Sequence, residues 1–184
     1  MQSWAYLILA AGIGVWVWPF VRAKRHPELT GKIDPRARWG MLLEMIAFAL
    51  LWQGKFWGAT VPLWRVSLSV GFFVLAAVLS WSSVRALGRQ WRFDAGLNTE
   101  GQHELVRHGP YAVVRHPIYT SLLCTLCGVG FIVATWKLLA LSIVAFVAGT
   151  EIRVAVEEKL LHGRFSEAFE KYRRSTFRYV PLIR

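Results

Sequence analysis

The sequence predicts an all-α integral membrane protein with about five transmembrane helices, a long cytoplasmic loop and a C-terminal helix. Of its 184 residues, 55% are hydrophobic and 18% are charged, which is too apolar for one soluble domain of this length. Apolar windows of about 20 residues, the length that crosses a bilayer as a helix, recur along the chain. The basic residues cluster in alternate connections between these windows.

Five apolar segments are expected to be helices, and they occupy residues 3–21, 39–57, 63–87, 118–136 and a stretch that opens at Leu138. The N-terminal stretch lacks a basic region and a small-residue cleavage site, so we expect no cleaved signal peptide. Residues 1–86 hold the first three transmembrane helices. Residues 87–184 differ, because they combine a long polar connection with two further apolar segments and an amphipathic tail helix over residues 165–174.

The distribution of Lys and Arg predicts the orientation of these helices. Residues 22–38, 85–115 and 150–184 are rich in basic side chains, whereas the connections around Lys55 and Lys137 hold few. The positive-inside rule puts the rich segments in the cytoplasm, which leaves the N-terminus outside and the C-terminus inside. A net charge of +11 is also compatible with nucleic-acid binding. This alternating distribution instead favours a lipid bilayer and no nucleic-acid partner.

Charged residues fall inside two of the apolar segments. The fifth segment continues as EIRVAVEEKLL, in which Arg153 and Glu157 are four residues apart and share one helix face. Charge at membrane depth indicates a functional site if protein or water surrounds it, and an exposed ion pair at a helix end is the equal alternative. Glu44, in the second segment, is more simply explained by a side chain that reaches toward the nearby cytoplasmic surface.

Neither the cysteines nor the histidines have the spacing of metal ligands. Cys124 and Cys127 form a C-x-x-C inside the fourth segment without a second pair or a nearby His, so we interpret them as packing residues and expect no metal. His116 precedes Pro117, and proline suits the first turn of a helix. A helix that begins there would aim free N–H groups and its positive end at the loop, where a carboxylate could bind. A plain helix start is the simpler alternative.

Three blocks of the C-terminal half resemble the signature of the isoprenylcysteine carboxyl methyltransferase family and its phospholipid methyltransferase relatives. They are HELV at 103–106, GPYAVVRHPIY at 109–119 and RVAVEEKLL at 153–161. Their order, internal spacing and cytoplasmic side agree with the family pattern. The similarity covers about residues 87–181.

The resemblance implies a pocket for S-adenosylmethionine that opens to the cytosol, with a lateral opening for a lipid or prenylated substrate. The residues that would line the cofactor by motif are His103, Glu104, Leu105, Val106, Tyr111, His116, Pro117, Ile118, Tyr119 and Glu157. Arg153 would bind the substrate carboxylate, and with Glu157 it forms the expected catalytic pair. The implied reaction is carboxyl methylation of an isoprenylcysteine-like substrate, and the expected location is a bacterial inner membrane, with the endoplasmic reticulum as the alternative.

Three positions depart from the family pattern. Ser121 replaces the Gly that usually follows HP-x-Y by two positions, Phe165-Ser166 replaces a Phe-Gly pair, and Phe169 replaces the first Tyr of the tail. We expect Ser121, which is also small, to preserve close helix packing. The changes in the tail affect the part that would cover the cofactor, so they bear on cofactor affinity.

Three other functions are alternatives. Methylation of a phospholipid amine is the first, and it needs a Glu or His beside the acceptor to remove a proton. Carboxyl methylation needs no such base, because a carboxylate is already ionised near pH 7. It needs a cation such as Arg153, which offers two parallel N–H donors. A nicotinamide-dependent enzyme related to sterol reductases and a non-catalytic membrane scaffold are the remaining alternatives.

Overall fold

The structure, a computed structural model, describes residues 3–23, 34–54, 60–88 and 104–179. These ranges contain six α-helices, which are α1 Ser3–Arg22, α2 Pro35–Leu51, α3 Leu63–Leu87, α4 Pro117–Val133, α5 Trp136–Phe165 and α6 Glu167–Ser175. A short 3-10 helix, Gly109–Ala112, precedes α4. No strand occurs in the described ranges beyond one isolated bridge between Val114 and Phe177. The predicted all-α fold is confirmed.

The predicted bounds of the second and fourth helices were wrong, and the fifth helix begins at Trp136 rather than Leu138. Local capping explains the start of α2 and the boundary between α4 and α5. The second helix covers Pro35–Leu51 rather than 39–57, because Asp34 accepts a hydrogen bond from the Arg36 N–H at 2.9 Å and caps the first turn. Residues 55–57 of that prediction lie outside the described residues. The fourth helix ends at Val133 rather than 136, because the Thr135 side chain accepts from the Leu138 N–H at 3.4 Å and starts α5.

Three of the described helices, α1, α3 and α5, are long and apolar enough to cross a membrane. Together they make the chain an integral membrane protein. Helices α2 and α4 have 17 residues each, which at about 1.5 Å per residue is close to the thickness of the hydrocarbon core. Five crossings therefore remain a prediction.

The contacts between helix ends agree with helices that cross the membrane in alternating directions. At one end the indole rings of Trp64 and Trp136 stack with their centres 5.8 Å apart, and Arg65 Nη2 donates to the Ala134 carbonyl at 2.5 Å. At the opposite end Ala37, near the start of α2, packs against Val156 in the last part of α5. The described helix ends that adjoin the weakly basic connections and those that adjoin the strongly basic ones thus lie at opposite ends of the bundle.

Close contacts of small residues join the helices in pairs. Helix α2 packs mainly against α5, and α3 packs mainly against α4. A Cβ added at Gly149 would lie 2.5 Å from the Gly40 carbonyl oxygen, and one at Gly40 would lie equally near the Gly149 oxygen. The Ser69 hydroxyl donates to the Gly128 carbonyl at 2.6 Å between α3 and α4. Such approaches are typical of helix packing in a bilayer.

A sharp corner separates α5 from the tail helix. Ser166 has a φ of +43°, which ends the 30-residue helix α5 and starts α6 at Glu167 instead of the predicted 165. Helix α6 then buries Phe169 and Tyr172 and exposes Lys171, Arg173 and Arg174. The amphipathic tail helix is confirmed, and it brings the chain back toward α4.

Candidate functional site

The described part of the loop begins at Glu104, so the predicted cofactor residue His103 lies outside the described residues. Glu104 is exposed, and Leu105 and Val106 are half-buried. Gly109 has a φ of +61°, which any other residue would adopt only with strain, and it turns the chain into the 3-10 helix. The roles of Glu104, Leu105 and Val106 remain predictions.

Tyr111 lies in the 3-10 helix and is buried beside α3 and α6. The Tyr172 hydroxyl of α6 donates to the Tyr111 carbonyl at 2.7 Å. Burial, and to a lesser degree the carboxylate of Glu157, raise the pKa of the Tyr111 phenol well above its ordinary value. Tyr111 therefore stays neutral and lies within electrostatic reach of the fifth helix.

His116 lies between two carboxylates of α5. Its Nε2 is 3.1 Å from Glu158 Oε1, and its Nδ1 is 3.6 Å from Glu157 Oε2. Burial alone would lower the pKa of His116, but its interactions with the two carboxylates outweigh burial and raise the pKa above its ordinary value. The imidazolium form is thus favoured. His116 is therefore a poor general base, but it can link the carboxylates of Glu157 and Glu158.

The first turn of α4 carries the next predicted residues. Pro117 is buried, Ile118 is half-buried and Tyr119 is buried. Ser121 is fully buried and donates to the Ile118 carbonyl at 2.7 Å, while Trp16 Nε1 of α1 donates to the Ser121 hydroxyl at 3.1 Å. A small residue at 121 does permit close packing, and its hydroxyl also links α1 to α4.

The tail closes over the residues before α4. The Arg115 N–H donates to the Phe177 carbonyl at 2.8 Å, and the Phe177 N–H donates to the Val113 carbonyl at 2.9 Å. The Arg115 side chain donates to Glu158 at 3.2 Å and to the Thr176 carbonyl at 2.6 Å. The Thr120 hydroxyl donates to the Tyr179 carbonyl at 2.8 Å.

Sequence reasoning missed the roles of Arg115 and Glu158. Both fall inside the quoted signature blocks, but the motif alone does not reveal that they contact each other and the tail. Arg178 is a further omission, since its Nη1 lies 2.6 Å from Glu151 Oε2. A sequence offers no signal for this contact, because the two residues come together only after the chain reverses at Ser166.

Arg153 is buried on α5 and contacts two other helices. Its Nη1 donates to Glu44 Oε2 at 2.6 Å, and its guanidinium carbon lies 5.0 Å from the centre of the Tyr119 ring. A cation over an aromatic face is stabilised electrostatically. The expectation that Glu44 reaches the cytoplasmic surface was wrong, because its side chain turns into the α2–α5 contact and Glu44 is 4% exposed.

The structure therefore brings four of the eleven predicted site residues into contact, namely His116, Tyr119, Arg153 and Glu157. We define the polar cluster as Glu44, Arg115, His116, Tyr119, Arg153, Glu157 and Glu158. It joins α2, the start of α4 and the last part of α5, with Tyr111 and the tail beside it. The cluster contains both acids and cations in contact at the end of the bundle where the basic connections lie.

A separate groove of about 520 Å³ lies where α5 meets α6. It is lined by His162, Ser166, Glu167, Glu170, Lys171 and Arg174, none of which belongs to the polar cluster. Cys124 and Cys127 are buried in α4 as free thiols. Within the described ranges, no three His, Cys, Asp or Glu side chains are grouped as metal ligands.

The family model of phospholipid methyltransferases matches residues 64–168. The match includes nearly all of α3, the loop, α4 and α5, and it ends at the start of α6. It therefore begins earlier than the quoted signature blocks and leaves α1 and α2 outside.

Curated proteins of two kinds are similar to the chain. It is 28% identical over 116 residues to the protein-S-isoprenylcysteine O-methyltransferase of Schizosaccharomyces pombe, across 62% of this chain and 49% of that protein. It is 26% identical over 147 residues to the cobalt-zinc-cadmium resistance protein CzcN of Cupriavidus metallidurans, across 79% of this chain and 62% of that protein. The chain thus spans less than two thirds of the length of these two relatives.

Proposed function

Since this chain belongs to the phospholipid methyltransferase family, we propose that it is a membrane methyltransferase that transfers a methyl group from S-adenosylmethionine to the carboxylate of an isoprenylcysteine-like lipid. One observation carries this proposal. Arg153, a cation buried on an apolar helix, lies one turn before the acid Glu157 in the polar cluster. Arg153 could bind an anionic acceptor, and Glu157 beside it could bind a cationic methyl donor.

The residues of the cluster fit a sulfonium cofactor. Glu157 Oε2 is buried, and it has no hydrogen-bond partner within the described part of the chain. It forms an ion pair with His116 Nδ1 at 3.6 Å, a separation that is beyond hydrogen-bond length. A buried carboxylate oxygen that accepts no hydrogen bond is costly, and a cationic ligand beside it would offset that cost. The bound cofactor would supply an electrophilic methyl group there, and Glu157 would stabilise its positive charge.

The acceptor would bind at Arg153. A guanidinium offers N–H donors in a planar fork that matches the two oxygens of a carboxylate. Tyr119 holds the guanidinium at its aromatic face, so the cation is oriented before the acceptor arrives. The apolar surfaces of α2 and α4 would accommodate the lipid tail, and the proposed topology would put the cluster at the cytoplasmic end of the bundle.

Alignment and exclusion of water would account for the rate. An acceptor oxygen forms a bond to the methyl carbon as the carbon–sulfur bond breaks. The electron pair of the carbon–sulfur bond moves to sulfur. Because the carboxylate is already ionised, no proton is transferred. Such in-line displacement gains most from holding the two groups at contact distance. The tail contacts at Arg115 and Thr120 would close the cytoplasmic side and keep water out.

Purified chain in lipid nanodiscs tests the proposal directly. Radiolabelled S-adenosylmethionine is supplied with N-acetyl-S-farnesylcysteine or with phosphatidylethanolamine as acceptor. We expect label in a base-labile methyl ester of the farnesylated acid. Label in neither acceptor, with no calorimetric binding of S-adenosylhomocysteine, would exclude a methyltransferase of this kind.

Methylation of a phospholipid amine is a second candidate, and the geometry around His116 supports it. A protonated amine must lose a proton before it attacks, and Glu157 would accept that proton beside His116 and Glu158. Arg153 would then bind the lipid phosphate. Label in phosphatidylethanolamine, stable to base, would favour this candidate.

We also propose five crossings of a bacterial inner membrane, with the N-terminus outside and the C-terminus in the cytoplasm. The opposite ends of the bundle described above support this arrangement. Fusions to alkaline phosphatase at Gly54 and Gly88 test it, since that enzyme is active only outside the cytoplasm. Activity is expected for the fusion at Gly54 alone, and the reverse pattern would invert the topology.

A further inference from the structure

Glu44 is an ionisable residue in the middle of α2 that the proposed reaction does not use. It is 4% exposed, and it belongs to a helix that packs along α5. It also lies outside residues 64–168, which the family model matches. An ionisable group at membrane depth is costly, and it therefore indicates a functional site by default.

Both oxygens of the Glu44 carboxylate are engaged by α5. Oε2 accepts from Arg153 Nη1 at 2.6 Å, and Oε1 accepts from the Thr150 hydroxyl at 3.0 Å. Thr150 and Arg153 are neighbours on one face of the helix. The hydrogen bonds from Thr150 and Arg153 therefore fix the plane of the Glu44 carboxylate. The carboxylate in turn holds Nη1 of Arg153 in position.

The backbones around this pair leave little freedom to move. Gly40, one turn before Glu44, contacts Gly149, which lies directly before Thr150. A Cβ at Gly40 would lie 2.5 Å from Arg153 Cγ, so the arginine stem passes directly over that glycine. The arginine is thus held at its stem by Gly40, at Nη1 by Glu44 and at its face by Tyr119.

We propose that Glu44 is a positioning residue that holds Arg153 and partly neutralises it, so that an acceptor carboxylate binds weakly enough to remain nucleophilic. This inference rests on the proposed carboxyl transfer. A carboxylate that is bound tightly by a guanidinium without a neighbouring anion is a poorer nucleophile in a low-dielectric site. The guanidinium stabilises part of the carboxylate charge before the reaction begins. The adjacent anion on α2 reduces that stabilisation.

Glu44→Gln separates this role from a merely structural one. The amide oxygen still accepts from Arg153, and the amide N–H₂ can donate to Thr150, so the contacts survive without the charge. We expect KM for the farnesylated acid to fall about fivefold and kcat to fall about tenfold, a pattern that lost folding does not produce. Ser69→Ala, which removes an interhelical hydrogen bond elsewhere in the bundle, is the matched control and should change neither constant.

Binding measurements keep the inference independent of turnover. The probes are S-farnesylthioacetate and its primary amide, titrated calorimetrically in the presence of S-adenosylhomocysteine. Glu44→Gln should bind the acid about fivefold more tightly and leave the affinity for the amide unchanged. If the two proteins bind in this pattern but the wild type transfers no methyl group to carboxylates, the proposed function fails, and only the effect of Glu44 on the affinity of Arg153 for an acid remains.

Equal affinities of wild type and Glu44→Gln for the acid would overturn the inference. An equal loss of affinity for the acid and for the amide in Glu44→Gln would also overturn it. Thr150→Val provides the second test if Glu44→Gln does not fold. It keeps both charges and the side-chain shape but removes one of the two bonds that orient Glu44. We expect kcat to fall about threefold with KM unchanged, and an unchanged kcat would contradict the positioning role.

Discussion

The guanidinium carbon of Arg153, on α5, lies 5.0 Å from the centre of the Tyr119 ring, on the first turn of α4. This contact joins the end of the second signature block, on the first turn of α4, to the third block, on α5. It brings the group proposed to bind the acceptor next to the helix start proposed to border the cofactor. The aromatic face also orients a cation that would otherwise have several rotamers.

Arg153→Lys is expected to lower methyl transfer at least about tenfold. Lysine keeps the charge but is a point donor that cannot form two parallel bonds to a carboxylate. Affinity for S-adenosylhomocysteine, measured by calorimetry, should stay within about twofold of wild type. The exposed Arg174→Lys is the control, and equal turnover in both variants would remove Arg153 from the site.

Glu157→Gln is expected to discriminate between two forms of the cofactor. If the Glu157 carboxylate stabilises the sulfonium, its loss weakens S-adenosylmethionine by about tenfold and weakens the uncharged thioether S-adenosylhomocysteine much less. Titration of both ligands against the same variant measures the difference. Parallel losses for the two ligands would mean that Glu157 contacts some other part of the cofactor.

Gly149→Ala is expected to destabilise the fold by about 2 kcal/mol, because the new Cβ overlaps the α2 backbone. Its nearest atom would be the Gly40 carbonyl oxygen at 2.5 Å. Gly14→Ala is the matched control, since a Cβ at that position meets nothing within 4 Å. Thermal unfolding in detergent should separate the two variants, and equal melting temperatures would disprove the close α2–α5 approach.

Ser166→Gly is expected to stabilise the chain by about 1 kcal/mol. Ser166 has a φ of +43°, a region in which a Cβ is strained and glycine is not. The opposite sign is expected for Ser67→Gly, because Ser67 lies within helix α3 and glycine weakens helix interiors by about 0.5–1 kcal/mol. A destabilising Ser166→Gly would show that the corner has another conformation.

His116 is expected to make stability depend on pH. Its pKa in the folded protein is raised above the ordinary 6.5 by Glu157 and Glu158, against the opposing effect of burial. The imidazolium therefore contributes its full stabilisation below pH 6.5, and that contribution disappears as the pH rises through the folded-state pKa. Arg115 and Arg178 contact Glu158, and the rings of Tyr119 and Tyr179 lie beside the His116 ring.

Melting temperatures of wild type and His116→Gln measured from pH 6 to pH 9 test this dependence. The advantage of the wild type should be largest at the acidic end and should shrink toward the basic end. A constant difference across the range would mean that His116 contributes through packing alone.

Periodicity and local motifs account for what could be predicted of the fold. A helix is recognised by the apolar run that it must bury, and the third helix was predicted with both ends correct at Leu63 and Leu87. The resemblance to the isoprenylcysteine methyltransferase family is likewise confirmed by the family match and the curated relatives. Tyr111, His116 and Glu157 could be singled out because their signature blocks have characteristic spacing.

The partners of those residues could not be predicted, because they come from distant parts of the chain. Glu44 and Arg153 are 109 positions apart, and Arg115 meets the tail only because the chain reverses at Ser166. Sequence alone determined that this is a helical membrane protein with a family signature, since these properties depend on composition and local order. Tertiary structure alone decided which charge neutralises which, because a buried ion pair depends on the close approach of helices that no local pattern records.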